Sequence, residues 1–213
     1  INALTGLDLF NGLVLLAFFS LAYSLSGGLK AVAMTDVVQV VLSIFGGLAV
    51  SYIALDKISE SAGIFEGMRI VASEMPEKFD MILSKDNPSY QNLPGIWILL
   101  GLGVWIGHFF YWGFNQYITQ RALGAKSIKE AQKGVMFAAY LKLLMPVVIV
   151  LPGVCAAILF PVLEKSDQAY PTMMSLLPNG LLGLTFAALI AAIVSSLASM
   201  SNSISTIFTM DIY

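Results

Sequence analysis

The chain has 213 residues, of which 58% are hydrophobic and 11% charged, and its mean hydropathy is +0.83; a soluble domain carries about 25% charged residues, so this is the composition of an integral membrane protein. A net charge of −2 without a basic tract excludes nucleic acid as a partner, which would need Lys and Arg clustered on one face. The single cysteine, Cys155, lies in an apolar run; it excludes a disulfide framework and a thiolate metal site and is expected to be a small buried hydrophobe.

A helix needs about 20 mostly apolar residues to cross the hydrocarbon core, and five stretches meet that requirement, at about 8–27, 35–55, 94–114, 134–160 and 179–207. The chain starts at Ile1 without an initiator methionine or a basic leader and ends at Tyr213 directly after a span. It is therefore expected to be the middle piece of a longer protein, a partial transmembrane domain over 1–213. Between the first two spans lies a short link, Gly27 to Met34, that carries Lys30. Between the second and third lies a long polar segment, about 56–93, with alternating charges, Gly63, Pro76 and Pro88, expected to hold short interfacial helices. The third span is dense in glycine, with Gly95, Gly101, Gly103, Gly107 and Gly113, which suits either close helix contact or an unwound break. After Phe114 come Arg121, Lys126, Lys129 and Lys133 against Glu130 alone, which places this segment in the cytoplasm by the positive-inside rule. Parity then puts the link at Lys30 inside and the 56–93 loop outside. In the fourth span, Pro146 removes the amide that would bond the carbonyl of Lys142.

Lys142 itself stands in an apolar run, Met136 to Val150, where a buried ammonium costs about 2.5–3.5 kcal/mol on insertion scales. A polar cavity, with Lys142 as a donor to a solute, accommodates that charge. In the third span His108 and Tyr111 are three residues apart with Trp112 adjacent, an aromatic platform beside a hydrogen-bonding ring; an interfacial aromatic belt accounts for Tyr111 and Trp112 equally well. In the fifth span Ala192, Ser195 and Ser196 share one helix face. Two hydroxyls and a carbonyl there would suit a hard monovalent cation, and the same residues also suit helix packing. Asp36 follows Thr35 at the start of the second span, as an N-cap or as a carboxylate at the inner mouth of a cation pathway. No catalytic constellation is present: His108 has no nucleophile partner in sequence and no Gly-rich phosphate loop exists. The chain is expected to be neither an enzyme nor the holder of an organic cofactor.

Three segments, Tyr23 to Gln39 (YSLSGGLKAVAMTDVVQ), Tyr111 to Arg121 (YWGFNQYITQR) and Ala187 to Tyr213 (AALIAAIVSSLASMSNSISTIFTMDIY), resemble the sodium/solute symporter family, and the likeness extends over essentially the whole chain. The resemblance implies an all-α fragment of a five-plus-five inverted-repeat transporter core, with sodium as the coupling ion and a sugar or similar small polar solute as the cargo. It also implies a lipid bilayer as surroundings, with the chain a multi-pass protein of a bacterial inner (plasma) membrane. On the family pattern the ion would be held at Ala192, Ser195 and Ser196 and would leave past Asp36; the sugar would meet Tyr111 with Trp112 beside it, Lys142, and the position of His108. That last position departs from the particular member that the chain resembles, which has an asparagine there; a neutral imidazole offers one donor and one acceptor, fewer than an amide. Another polar solute, or a non-transporting sensor or channel on the same core, is the alternative.

Overall fold

A computed structural model of the chain describes residues 6–80, 82–87, 90–91, 99–163 and 165–213; Gly95, Pro88 and the first residues of the expected third span fall outside these. The elements in chain order are α1 (Leu9–Ile58), α2 (Ile64–Glu74), α3 (Val104–Phe109), α4 (Gln116–Leu123), α5 (Ile128–Lys142), α6 (Leu151–Leu159), α7 (Ala169–Met174) and α8 (Asn179–Ile207). Wider π-helical turns, Leu99–Gly103, Phe110–Phe114, Pro146–Val150 and Phe208–Ile212, extend or join several of them.

Three helical stretches are long and apolar enough to cross a membrane: Val32–Ile58, Ile128–Leu159 and Asn179–Ile212. They correspond to the second, fourth and fifth expected spans. The first is the shorter apolar helix Leu9–Leu25, and the described part of the third is the run Leu99 to Phe114. The link expected between the first two spans is not a loop. Helix continues on both sides of Gly28, whose φ of 55° and ψ of −167° break it at one residue, in a left-handed region that glycine tolerates. The Asp8 carboxylate caps α1 by accepting from Phe10 N at 3.1 Å, and Ser127 caps α5 by accepting from Glu130 N at 3.3 Å, an arrangement that satisfies free first-turn amides.

The central packing is α1 against α8, and glycine permits it. A Cβ at Gly46 would lie 2.7 Å from Thr185 Oγ1 on α8, and one at Gly47 would lie 2.3 Å from Val148 Cγ1 and 3.0 Å from the Val148 carbonyl. Small residues at such crossings let backbones approach closely, the usual basis of helix association in a bilayer. Gly47→Ala is therefore expected to lower the thermal unfolding midpoint of the full-length protein in detergent, since overpacking costs about 1–3 kcal/mol. An unchanged midpoint would mean that the Val148 turn moves aside freely.

The polar segment after α1 holds the expected short helix. α2 lays Val71 into a cluster with Val50, Ala54, Cys155, Met173 and Met174, and Cys155 is fully buried. Gly67 meets the α1 terminus so closely that a Cβ would sit 2.2 Å from the Leu55 carbonyl. On the outer side of α2, Arg69 pairs with Glu66 at 2.6 Å, and this hydrogen bond holds the Glu66 carboxyl below its ordinary range. Elsewhere large apolar side chains stand exposed along the long helices, among them Phe18, Phe45, Phe109 and Phe137. Lipid tails or neighbouring helices solvate such groups without the penalty that water would impose.

Candidate functional site

α8 is continuous through the serine run, so the Ala192 carbonyl lies inside an unbroken helix. Ser195, Ser199 and Ser203 are buried along one face, while Ala192 and Ser196 are half-buried beside it. Opposite this face stands Asp36. Because α1 resumes directly after Gly28, Asp36 sits two turns inside the helix and does not cap it. Its carboxylate turns instead to two partners from distant parts of the chain. Oδ1 accepts the Ser195 hydroxyl. Oδ2 accepts Arg121 Nε at 3.1 Å and Arg121 Nη2 at 2.8 Å.

Arg121 comes from α4, a short helix capped by the Asn115 side chain, which accepts from Tyr117 N at 3.2 Å. Its Nη2 also donates to Ser199 Oγ at 2.8 Å, and its guanidinium lies 5.7 Å from the Tyr117 ring centroid, within cation–π range. The ion pair is partly buried, with 33% and 20% side-chain exposure for Arg121 and Asp36. Salt therefore screens it less than a surface pair. A hydroxyl that spends its proton on Asp36 keeps both lone pairs for another ligand; this is the chemical capacity of Ser195.

The second group of predicted residues is organised around a cavity of about 860 Å³ lined by His108, Trp112, Arg121, Glu130 and Lys142 among others. The Lys142 ammonium lies 4.6 Å from the Trp112 ring centroid, and Tyr111 stacks edge-on to Trp112 at 5.1 Å. Near Lys142 the helix is interrupted: Pro146 has no amide and the Val147 amide goes to Leu144. Lys142 thus lines a cavity whose wall is largely apolar, interrupted by His108, Thr119, Arg121 and Glu130, with an aromatic face as its neighbour. Arg121 belongs to both groups, lining the cavity while holding Asp36.

Comparison with known proteins places these residues in a lineage. The family model described as "Sodium:solute symporter family" matches residues 1–213. The chain belongs to the sodium:solute symporter family. Relatives within and near this family include the sodium/glucose cotransporter of Vibrio parahaemolyticus, 46% identical over 100% of the chain and 42% of that protein. A human sodium/myo-inositol cotransporter 2 is 35% identical over 97% of the chain and 34% of its own length. An uncharacterised Escherichia coli symporter is 37% identical over 94% of the chain and 34% of its own. The chain thus spans well under half of the relatives it matches. With three apolar helices of spanning length, this symporter-family chain forms part of a multi-pass integral membrane protein.

Sequence reasoning named Asp36, Ser195, His108, Trp112 and Lys142, each of which the structure sets in one of the two groups. It missed Arg121 as a site residue, reading it as a topology signal, and it missed Gln120, Ser199 and Asn202. The available signal was a polar stripe on an apolar helix: Ser195, Ser199 and Asn202 recur at helical spacing on the face of Ala192.

Proposed function

We propose that the full-length protein is a sodium-coupled symporter of a sugar or a closely related polyol, built on a five-plus-five inverted-repeat core in the plasma membrane and working by alternating access. The observation that carries this reading is the Asp36 carboxylate held against the Ser195 hydroxyl between two long apolar helices; a carboxylate in such a place needs a positive partner, here Arg121, and is a common mark of an ion path. Sodium would be bound by the Ala192 carbonyl and the Ser195 and Ser196 hydroxyls, and would reach Asp36 as it leaves. Two relatives named for sodium and a polyhydroxylated solute support the substrate class, and the imidazole of His108, with one donor and one acceptor when neutral, leaves room for a polyol as well as a sugar. No catalytic step is required; the work comes from the ion gradient, about 2.3 kcal/mol per charge per 100 mV.

Uptake of labelled glucose, galactose and myo-inositol by the full-length protein, with sodium and with its replacement by choline, tests the proposal. Uptake that does not depend on sodium, or no accumulation against a gradient for any small polar solute, would remove it.

Within the solute group, Lys142→Ala should weaken solute affinity by about tenfold or more, the loss of a charge-assisted hydrogen bond, with little change in sodium affinity. Tyr111→Ala should abolish accumulation while Tyr111→Phe is milder, because the ring supplies the contact. Solute titrations at saturating sodium separate these outcomes. A fall in sodium affinity alone would detach Lys142 from the solute.

A further inference from the structure

Gln120 precedes Arg121 in α4 and is buried, with 8% exposure. Its carboxamide is used at both ends. Nε2 donates to the Ser199 carbonyl of α8 at 3.1 Å and to the Tyr117 carbonyl at 3.3 Å; Oε1 accepts from Asn202 Nδ2 at 3.3 Å. A side-chain amide can donate and accept in this way while remaining neutral. The side chain of Arg121 leaves the helix about 100° further round and meets Asp36 and the Ser199 hydroxyl. Ser199 is therefore gripped twice, by its carbonyl through Gln120 and by its hydroxyl through Arg121. Among the described residues, the bonds of Gln120 run to α8 and to its own helix and involve no charged group. They survive when a cation takes the Asp36 carboxylate.

From this juxtaposition we infer that Gln120 is a positioning residue for the Asp36–Arg121 pair: it pins α4 to α8 and so keeps the guanidinium beside the carboxylate as a tethered competitor of any cation that arrives there. A tethered group acts at an effective concentration set by how well it is held. Loosening α4 lowers that concentration, and a cation then binds Asp36 with higher apparent affinity. The inference rests on the reading that sodium leaves past Asp36.

The test uses the full-length protein and Gln120→Met, which keeps length and approximate shape but makes none of the three bonds. One arm needs no transport. In a background carrying Asp36→Cys and Arg121→Cys, a short bifunctional thiol reagent should link the two positions, and Q120M should slow the linking at least about threefold. The other arm titrates sodium at the cytoplasmic face of inside-out vesicles. Q120M should lower the half-saturating concentration by about three- to tenfold, the scale of one neutral hydrogen bond or slightly more, and the shift should vanish in an Arg121→Gln background, where no competitor is left to position. If Q120M fails to insert, Asn202→Leu, which removes only the Oε1 contact, carries the same comparison with a smaller shift. Unchanged linking, or an equal sodium shift in both backgrounds, overturns the inference and leaves Gln120 as packing. Wild-type vesicles without any sodium dependence would sink the symport reading instead, and the linking arm would still decide the role of Gln120.

Discussion

Arg121→Ala should tighten sodium at the cytoplasmic face and slow turnover. The guanidinium makes two charge-assisted bonds to Oδ2 of Asp36, and without it the carboxylate retains, among the described residues, the Ser195 hydroxyl alone. An underneutralised carboxylate is a better cation ligand, and bonds to charged groups contribute about 1.5–3 kcal/mol, which corresponds to about ten- to a hundredfold in apparent affinity. Sodium inside right-side-out vesicles, at the cytoplasmic face, should then inhibit transport at correspondingly lower concentration. Arg121→Lys should fall between, because an ammonium keeps the charge but cannot place two donors on Oδ2 and reach Ser199 Oγ from a rigid fork. Asp36→Asn should act in the opposite direction: it leaves a fixed positive charge beside the proposed ion path, so sodium should bind more weakly. Trans-inhibition by internal sodium, measured for the three variants, reports all three directions. An R121A protein that matches wild type in this assay would reduce the ion pair to a structural contact.

The second large effect is expected at the serines. Ser195→Ala removes the proposed cation ligand and the donor to Asp36, so the sodium needed for half-maximal transport should rise about ten- to a hundredfold by the same conversion. Ser196→Ala removes one hydroxyl that is half-buried and lies outside the Asp36 contact, so its effect should be smaller, at least several fold. Solute affinity should fall only through coupling, weakened at low sodium and restored at high sodium, because linkage between two sites is reciprocal. Sodium-titrated uptake at two solute concentrations checks both statements. If both variants keep the wild-type sodium dependence, these hydroxyls are packing groups.

The long apolar helices and the face shared by Ala192, Ser195 and Ser196 were legible in the sequence, because both follow from local periodicity. The partner of that face was not. Asp36 is separated from Ser195 by 159 positions and from Arg121 by 85, and no helical period encodes a pairing over such distances. Position also misled: Thr35–Asp36 after the Ser26–Gly28 run looks like a helix start, whereas a single glycine breaks α1 and helix resumes before Asp36 is reached. Arg121 was visible, but one arginine in a basic segment satisfies the positive-inside rule and an ion pair equally well. Lys142 stood out as a lone ammonium in an apolar run wherever the rest of the chain lies, and in the structure it lines a cavity. That its first neighbour is the Trp112 ring depends on how α5 docks against the turn Phe110–Phe114, which spacing alone does not fix.

The join between α5 and α6 ties two distant positions to one another. In the wide turn there, the Leu151 amide goes to the Pro146 carbonyl, and Pro152 has no amide to offer. The Val147 carbonyl receives its proton from the Ser51 hydroxyl of α1 instead, in surroundings where an unmet carbonyl is expensive. A ring closure in one helix has thereby set the side chain of another. Over descent the two sites should drift together: residue 51 becomes free to lose its hydroxyl in lineages where residue 152 regains an N–H, and a proline newly acquired at 152 should survive where a donor already waits at 51.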